Sequence, residues 1–198
     1  MPSSLPPLTA SLRLYLALLL LVGAERIVEL VISKRNARIQ LARGAREIGQ
    51  RHFRAMTLVH ALFLPACFAE AWLLHREPPL VVTLVALLAV LGAQSLRWWA
   101  VSTLGMRWNV RVIANPGDAP ITTGPYKIVR HPNYLAVALE LFALPLVHGA
   151  WICALAFSGA NAGLMAVRIP AEEKALGELY AAQFRELPRL WPRSPDAR

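Results

Sequence analysis

Gly124-Pro-Tyr-Lys-Ile-Val-Arg-His-Pro-Asn-Tyr134 is a polar, aromatic and basic stretch set between hydrophobic segments. Pro125 and Pro132 each fix their own φ and push the preceding residue out of the α region. The result is a stiff, kinked connection that holds Arg130 and His131 in place before Tyr134 opens an apolar run. A cation, an imidazole and two phenols at a membrane surface suit a polar ligand with an aromatic part and a carboxylate.

The surroundings of this stretch define the fold class. Of 198 residues, 56% are hydrophobic, and they fall in long runs. A helix needs about 20 residues to cross a bilayer core. The runs at 12–32, 55–74 and 80–101 meet that length. Those at 134–147 and 150–167 form a C-terminal helical hairpin whose first arm barely spans. The expectation is an all-α membrane protein with about five transmembrane helices, in one domain covering 1–198. Residues 12–101 supply three N-terminal helices, and 102–198 carry the functional motifs.

The net charge of +9 does not point to nucleic acid. Basic residues cluster between apolar runs, as the positive-inside rule requires. Lys34, Arg35, Arg38, Arg43, Arg46, Arg51 and Arg54 face one acid, Glu47, across 33–54, read as a cytoplasmic loop with a short surface helix. The linker 102–133 and the tail from 168 fall on the same side. The N-terminus is then outside and the C-terminus cytoplasmic. Cys67 and Cys153 lie within apolar runs and read as small buried hydrophobes. No Cys/His cluster suggests a metal site.

Several polar residues interrupt the apolar runs. Glu25 and Glu29 are four apart and share a helix face with Arg26 beside them. They read either as an interfacial charge cluster or as a polar contact shaping the site. His60 and Glu70 interrupt the second run, and a lone histidine there reads first as a helix-packing residue. Asn161 needs a buried partner. Arg168 and Glu172 share a face if the helix continues. Pro170 suits the first turn of a new helix, with Glu172 and Glu173 favourably placed at its N-terminus. Topology brings this segment to the 124–134 stretch.

Gly124-x-Tyr126, Arg130-His131-Pro132-x-Tyr134 and Arg168-x-x-x-Glu172-Glu173 resemble the isoprenylcysteine carboxyl methyltransferase family of integral-membrane enzymes. Glu25-Arg-x-x-Glu29-Leu, Ser33-x-Arg35-Asn36, Gly49-x-x-His52 and Trp108-Asn-x-Arg111 resemble a bacterial subgroup that O-methylates alkylpyrones or alkylresorcinols. The resemblance implies a bacterial-type inner membrane location and S-adenosylmethionine as methyl donor in a cytoplasmic cofactor pocket. It implies cofactor contacts at Ile121, Tyr126, Arg130, His131, Pro132, Asn133, Tyr134 and Glu172. Arg168 and Asn161 would face the substrate, with Arg168 and Glu172 as the catalytic pair. The acceptor would be isoprenylcysteine-like or alkylpyrone-like, offering a carboxylate, enol or phenol oxygen. Two departures stand out: Asp118 replaces a common histidine, and Tyr180-Ala181 and Phe184 replace the family's Phe-Gly and Tyr. Three other readings remain. Arg-His-Pro-x-Tyr also occurs in NADPH-dependent sterol-reductase-like enzymes, phospholipid N-methylation uses the same donor, and a scaffold would need no cofactor.

Overall fold

A computed structural model describes residues 7–48, 50–115 and 118–190, with 50–52 described by backbone alone. Gly49 and the side chains of Arg51 and His52, named above, lie outside the described residues. Five helices account for most of the chain: α1 (Ala10–Ala42), α2 (Gln50–Leu74), α3 (Leu80–Leu104), α4 (Pro132–Leu146) and α5 (Trp151–Gln183). It is an all-α membrane protein. Among the described residues three segments are long and apolar enough to cross a membrane, Phe53–Leu74, Leu80–Arg107 and Trp151–Gln183, while Pro132–Leu146 is apolar but shorter. The outer surface agrees, since large apolar side chains such as Leu20, Leu84 and Leu88 are exposed. A soluble protein would not leave so much of its leucine uncovered.

Helix α1 runs ten residues beyond the predicted end at 32. Its buried positions explain why. Leu12, Tyr15, Leu19, Val22, Glu29, Ser33, Asn36 and Ala37 recur at spacings of three and four, or multiples of them, along most of the stripe. The stripe turns from apolar to polar partway along. Lys34, Arg35 and Arg38 occupy the exposed face, so the basic run belongs largely to a helix rather than a loop. The polar end of the stripe holds the α3–α4 linker. Asn36 donates to the Gly105 and Trp108 carbonyls at 3.1 and 2.9 Å, and Ser33 accepts from the Val110 amide at 3.1 Å. Two three-residue strands, β1 (Arg46–Ile48) and β2 (Val112–Ala114), pair antiparallel at this same end. They are too short to leave a periodic signal in the sequence.

Helices α4 and α5 form the expected hairpin, with α4 against α3 and α5 also against α2. Tyr15 of α1 stacks on His148 in the turn and donates to the Leu144 carbonyl at 3.2 Å. Glu70 of α2 accepts the Ile152 and Cys153 amides at 3.0 and 2.7 Å, capping α5, and is held by Arg76 at 2.7 Å. Pro170 does not begin a new helix. Helix α5 continues through it and breaks at Gly177, whose φ of 82° is left-handed. Cys67 and Cys153 are buried free thiols.

Within the helices one polar cluster crosses from α1 to α3 and α4. Arg97 grips Glu29 through two hydrogen bonds of 2.5 and 2.6 Å. Arg26 adds a third at 3.0 Å. Glu25 accepts from Gln94 and Trp98, and Glu140 lies 3.6 and 3.7 Å from Arg26 and Arg97. Glu29 is 1% exposed and Arg97 6%. Removing one member of such a buried pair leaves an uncompensated charge. Arg97→Ala should therefore lower stability by about 3–5 kcal/mol, read as a fall in the unfolding midpoint in detergent.

Candidate active site

The Gly124–Tyr134 stretch folds as a 3₁₀ turn over Gly124–Lys127, a short irregular link, and the first turn of α4 with Pro132 at its start. Gly124 has φ 57°, and a Cβ there would lie 2.5 Å from Thr103 Oγ1. Only glycine lets the turn lie this close to α3. Above it a cavity of about 880 Å³ opens. Its polar end is walled by Ile121, Tyr126, His131, Asn133, Tyr134 and Glu172. Its apolar end descends between α1 and α2, from Leu30 to Leu16 on one side and from Phe53 to Phe68 on the other.

Arg168 stands at the junction of the two ends and is 5% exposed. Its Nε donates to the Tyr134 hydroxyl at 2.7 Å and its Nη2 to the Val110 carbonyl at 2.6 Å. Among the described residues its Nη1 meets only the Met56 sulfur, at 3.4 Å. The Tyr134 hydroxyl in turn donates to Glu172. Arg168 and Glu172 are thus joined through Tyr134 rather than directly. All three acceptors of Arg168 are neutral, and among the described residues no carboxylate pairs with it.

His131 and Arg130 do different work. His131 Nε2 lies 3.1 Å from Glu173 Oε1, and the ring stacks on Tyr134 at 5.3 Å. Arg130 Nε donates to the Leu187 carbonyl at 2.6 Å and Nη2 to that of Arg185 at 3.2 Å. The Arg130 and His131 amides donate to the carbonyls of Pro188 and Arg189. Arg189 closes the strap on Glu173 at 2.6 Å. The guanidinium of Arg130 is therefore engaged with the C-terminal segment, although the residue borders the cavity. Pro132 is buried, sets the start of α4 and is not part of the cavity wall. The sequence reading does not single out Met56 or Val110, and it names Glu173 only as part of the motif. The Trp108-Asn-x-Arg111 motif encloses Val110 and was the one signal for it.

The wall contains buried polar atoms that lack a protein partner: Trp108 Nε1, Asn109 Nδ2, Asn133 Oδ1 and Asn161 Oδ1. Two donors and two acceptors left unmet in this way fit a ligand with both kinds of group. Burial and the Glu172 carboxylate push the Tyr126 phenol above its ordinary range, so it faces the cavity as a neutral hydroxyl. Among the described residues no group of three or more His, Cys, Asp or Glu side chains is placed to hold a metal ion.

A bundle of membrane helices with a polar pocket at one end and a lipid-facing slot below it defines a membrane-embedded enzyme. Residues 84–178 match the model of the isoprenylcysteine carboxyl methyltransferase family. The chain is 35% identical over 161 residues to the Bacillus subtilis protein named uncharacterized protein YpbQ, covering 81% of this chain and 95% of that one. It is 28% identical over 160 residues to an uncharacterized Haemophilus influenzae protein, covering 79% and 91%. The chain belongs to the isoprenylcysteine carboxyl methyltransferase family, and its activity is that of a membrane methyltransferase.

Glu173 joins the strap to the motif, so Glu173→Gln should loosen both. Losing an ion-paired contact of this kind should speed amide exchange across 185–190 and at His131 roughly tenfold. Helices α1 and α2 should be unaffected. Hydrogen–deuterium exchange read by mass spectrometry checks this.

Proposed function

We propose that the protein transfers a methyl group from S-adenosylmethionine to an oxygen of a lipophilic acceptor. The observation that carries this reading is Arg168: a buried guanidinium with only neutral partners, between a polar pocket and an apolar slot. A cation left without a carboxylate at such depth is costly unless a ligand supplies the negative charge. An ionised or ionising oxygen is the ligand that fits.

When bound, the donor supplies an electrophilic methyl on sulfur. The protein's task is to place an oxygen in line with it, and positioning of this kind can lower a barrier by several kcal/mol. Nη1 of Arg168 is the donor free to orient that oxygen. The Tyr134 and Val110 oxygens fix the guanidinium plane, so the cation is set before any ligand arrives. The hold must stay moderate, because over-stabilising the ground-state anion slows transfer. Glu172 has one oxygen committed to Tyr134 and a second to offer the cationic part of the donor. The unmet atoms of Trp108, Asn109 and Asn133 suit the donor's remaining polar groups, with Tyr126, His131 and Ile121 alongside. Asn161 lies about two turns below Arg168 on α5 and suits the acceptor side.

The acceptor's lipidic part would enter through the slot between α1 and α2. The basic face of α1 and the polar pocket occupy the same end of the bundle, which supports a cytoplasmic site with the N-terminus outside. Phospholipid N-methylation fits less well, because Arg168 would repel an ammonium headgroup.

Calorimetry of the purified protein with S-adenosylhomocysteine, and separately with NADPH, tests the reading. Saturable binding of the former alone is expected, and binding of NADPH alone would point to a reductase instead. Arg168→Ala should cut transfer by about 100-fold or more while donor affinity stays within a few-fold. His131→Ala and Tyr134→Ala should weaken donor binding. Equal loss of donor affinity in all three variants would refute this division of roles.

A further inference from the structure

Methyl transfer to a carboxylate needs no base. Transfer to a phenol or enol must shed a proton as the new bond forms. His60 of α2 forms part of the cavity wall, and its ring is set up to take that proton. Its Nδ1 lies 2.8 Å from the Met56 carbonyl. A carbonyl only accepts, so Nδ1 carries the hydrogen, and in the neutral ring Nε2 is left as the acceptor.

The position is also right. Met56, which His60 follows by one turn, touches Arg168 Nη1. His60 therefore shares the Met56 face of α2 and lies about 6 Å along the axis from it. Side chains on a helix lean toward its N-terminus. In α2 that direction leads back to the Arg168 layer, as the hydrogen bond to Met56 requires. An oxygen held at Nη1 and a chain descending the slot would pass this ring.

The competing carboxylates have other work: the second oxygen of Glu172 is kept for the cationic part of the donor, and Asp118 accepts from Asn115. Glu172 receives the Tyr134 hydroxyl, and Glu29 is saturated by Arg97 and Arg26. Glu140 is not part of the cavity wall. The charged groups that bear on the His60 ring are Arg26 of α1, Glu140 of α4 and Arg168 of α5. Glu29 of α1 and Arg97 of α3 share the cavity.

We propose that His60 is the general base of this site, acting whenever the acceptor oxygen still carries its proton. The inference rests on the oxygen-methylation reading above. In the step, the acceptor O–H bond breaks and its proton passes to His60 Nε2. The oxygen forms the new bond to the methyl carbon, the sulfur–methyl bond breaks, and its electron pair stays on sulfur. The imidazolium then returns the proton to water.

The test uses the full chain in detergent with two phenols bearing the same long alkyl chain. One is otherwise unsubstituted, and the other carries a nitro group that ionises it at the assay pH. An alkylbenzoate of equal chain length is the carboxylate control. His60→Gln keeps a polar side chain but cannot take the proton. It should slow transfer to the plain phenol by about 100-fold or more and leave the nitrophenol rate within a few-fold. The wild-type rate with the plain phenol should rise with pH through the imidazole range, and this rise should be missing with the nitrophenol. Calorimetric affinity for the nitrophenol and for S-adenosylhomocysteine should match wild type, showing the variant folded and its pocket intact. Equal slowing on both phenols, or no slowing on either, would overturn the base assignment and leave methyl transfer standing. Slowing of the benzoate reaction by His60→Gln as large as that of the plain phenol would overturn it too, because a carboxylate has no proton to give up. Donor binding without transfer to any of the three would overturn the oxygen-acceptor reading and the base together.

Discussion

The Glu29–Arg97 pair is the contact on which the arrangement of the helices depends. Helix α1 carries Glu25, Arg26 and Glu29 within its apolar stretch, and ionisable groups at membrane depth are tolerated only when paired or turned inward. Arg97 supplies the pairing from α3, and Glu140 brings α4 to the same place. The cluster therefore does more than neutralise charge. It fixes the rotation of α1, because only one face presents Glu29 to Arg97. That rotation turns Leu12, Tyr15, Leu19 and Val22 inward as well, and these form the apolar core with Cys67, Val90 and Leu144. Hydrophobic residues alone would not specify the rotation in a lipid environment, where tails are as apolar as leucine.

From this pair a continuous set of polar contacts leads to the site. The face of α1 that carries Glu29 carries Ser33 and Asn36 farther along, and these hold the linker at 105–110. The linker presents the Val110 carbonyl to Arg168, Arg168 reaches Tyr134, and Tyr134 reaches Glu172. Elements from the whole chain therefore converge on one guanidinium. Most of its support comes from helix faces. The loop contact from Val110 is pinned by a helix in turn. A site built this way is oriented before its ligands bind, which is the condition for electrostatic assistance.

The chemistry of the site was legible because it resides in residue types at short spacings. Arg130-His131-Pro132-x-Tyr134 and Arg168-x-x-x-Glu172 announce a cation, an imidazole, a phenol and a carboxylate within a few turns. What these residues touch was not legible, because it depends on chain that returns from far away. Arg130 reads as a ligand-binding cation, yet its hydrogen bonds go to the carbonyls of Arg185 and Leu187 and to the Glu173 carboxylate. Glu70 caps a helix that begins some eighty residues later. The end of α1 was misjudged for a local reason. Lys34, Arg35 and Arg38 look like a loop by composition, while Ser33 just before them and Asn36 and Ala37 among them form the buried face that continues the helix. Pro170 was a plausible helix start, but packing of α5 overrides it and the break falls at Gly177.

Glu172 and Glu173 show how the two demands on this region are kept apart. They are adjacent, so their side chains diverge by about 100° around α5. Glu172 points to Tyr134 and the cavity. Glu173 points to His131, Arg130 and Arg189, and closes the C-terminal segment over the motif. One carboxylate is left an oxygen to offer a ligand, and the other is surrounded by cations and has none to spare. A single helix thus presents one acid to the chemistry and one to the strap that holds His131 in place. Shifting the register of α5 by one residue would rotate Arg168 and both acids together by about 100°, taking Arg168 and Glu172 away from Tyr134 and Glu173 away from the strap. The break at Gly177 lies just beyond this pair, so the helix that sets their register is unbroken from Trp151 to the site.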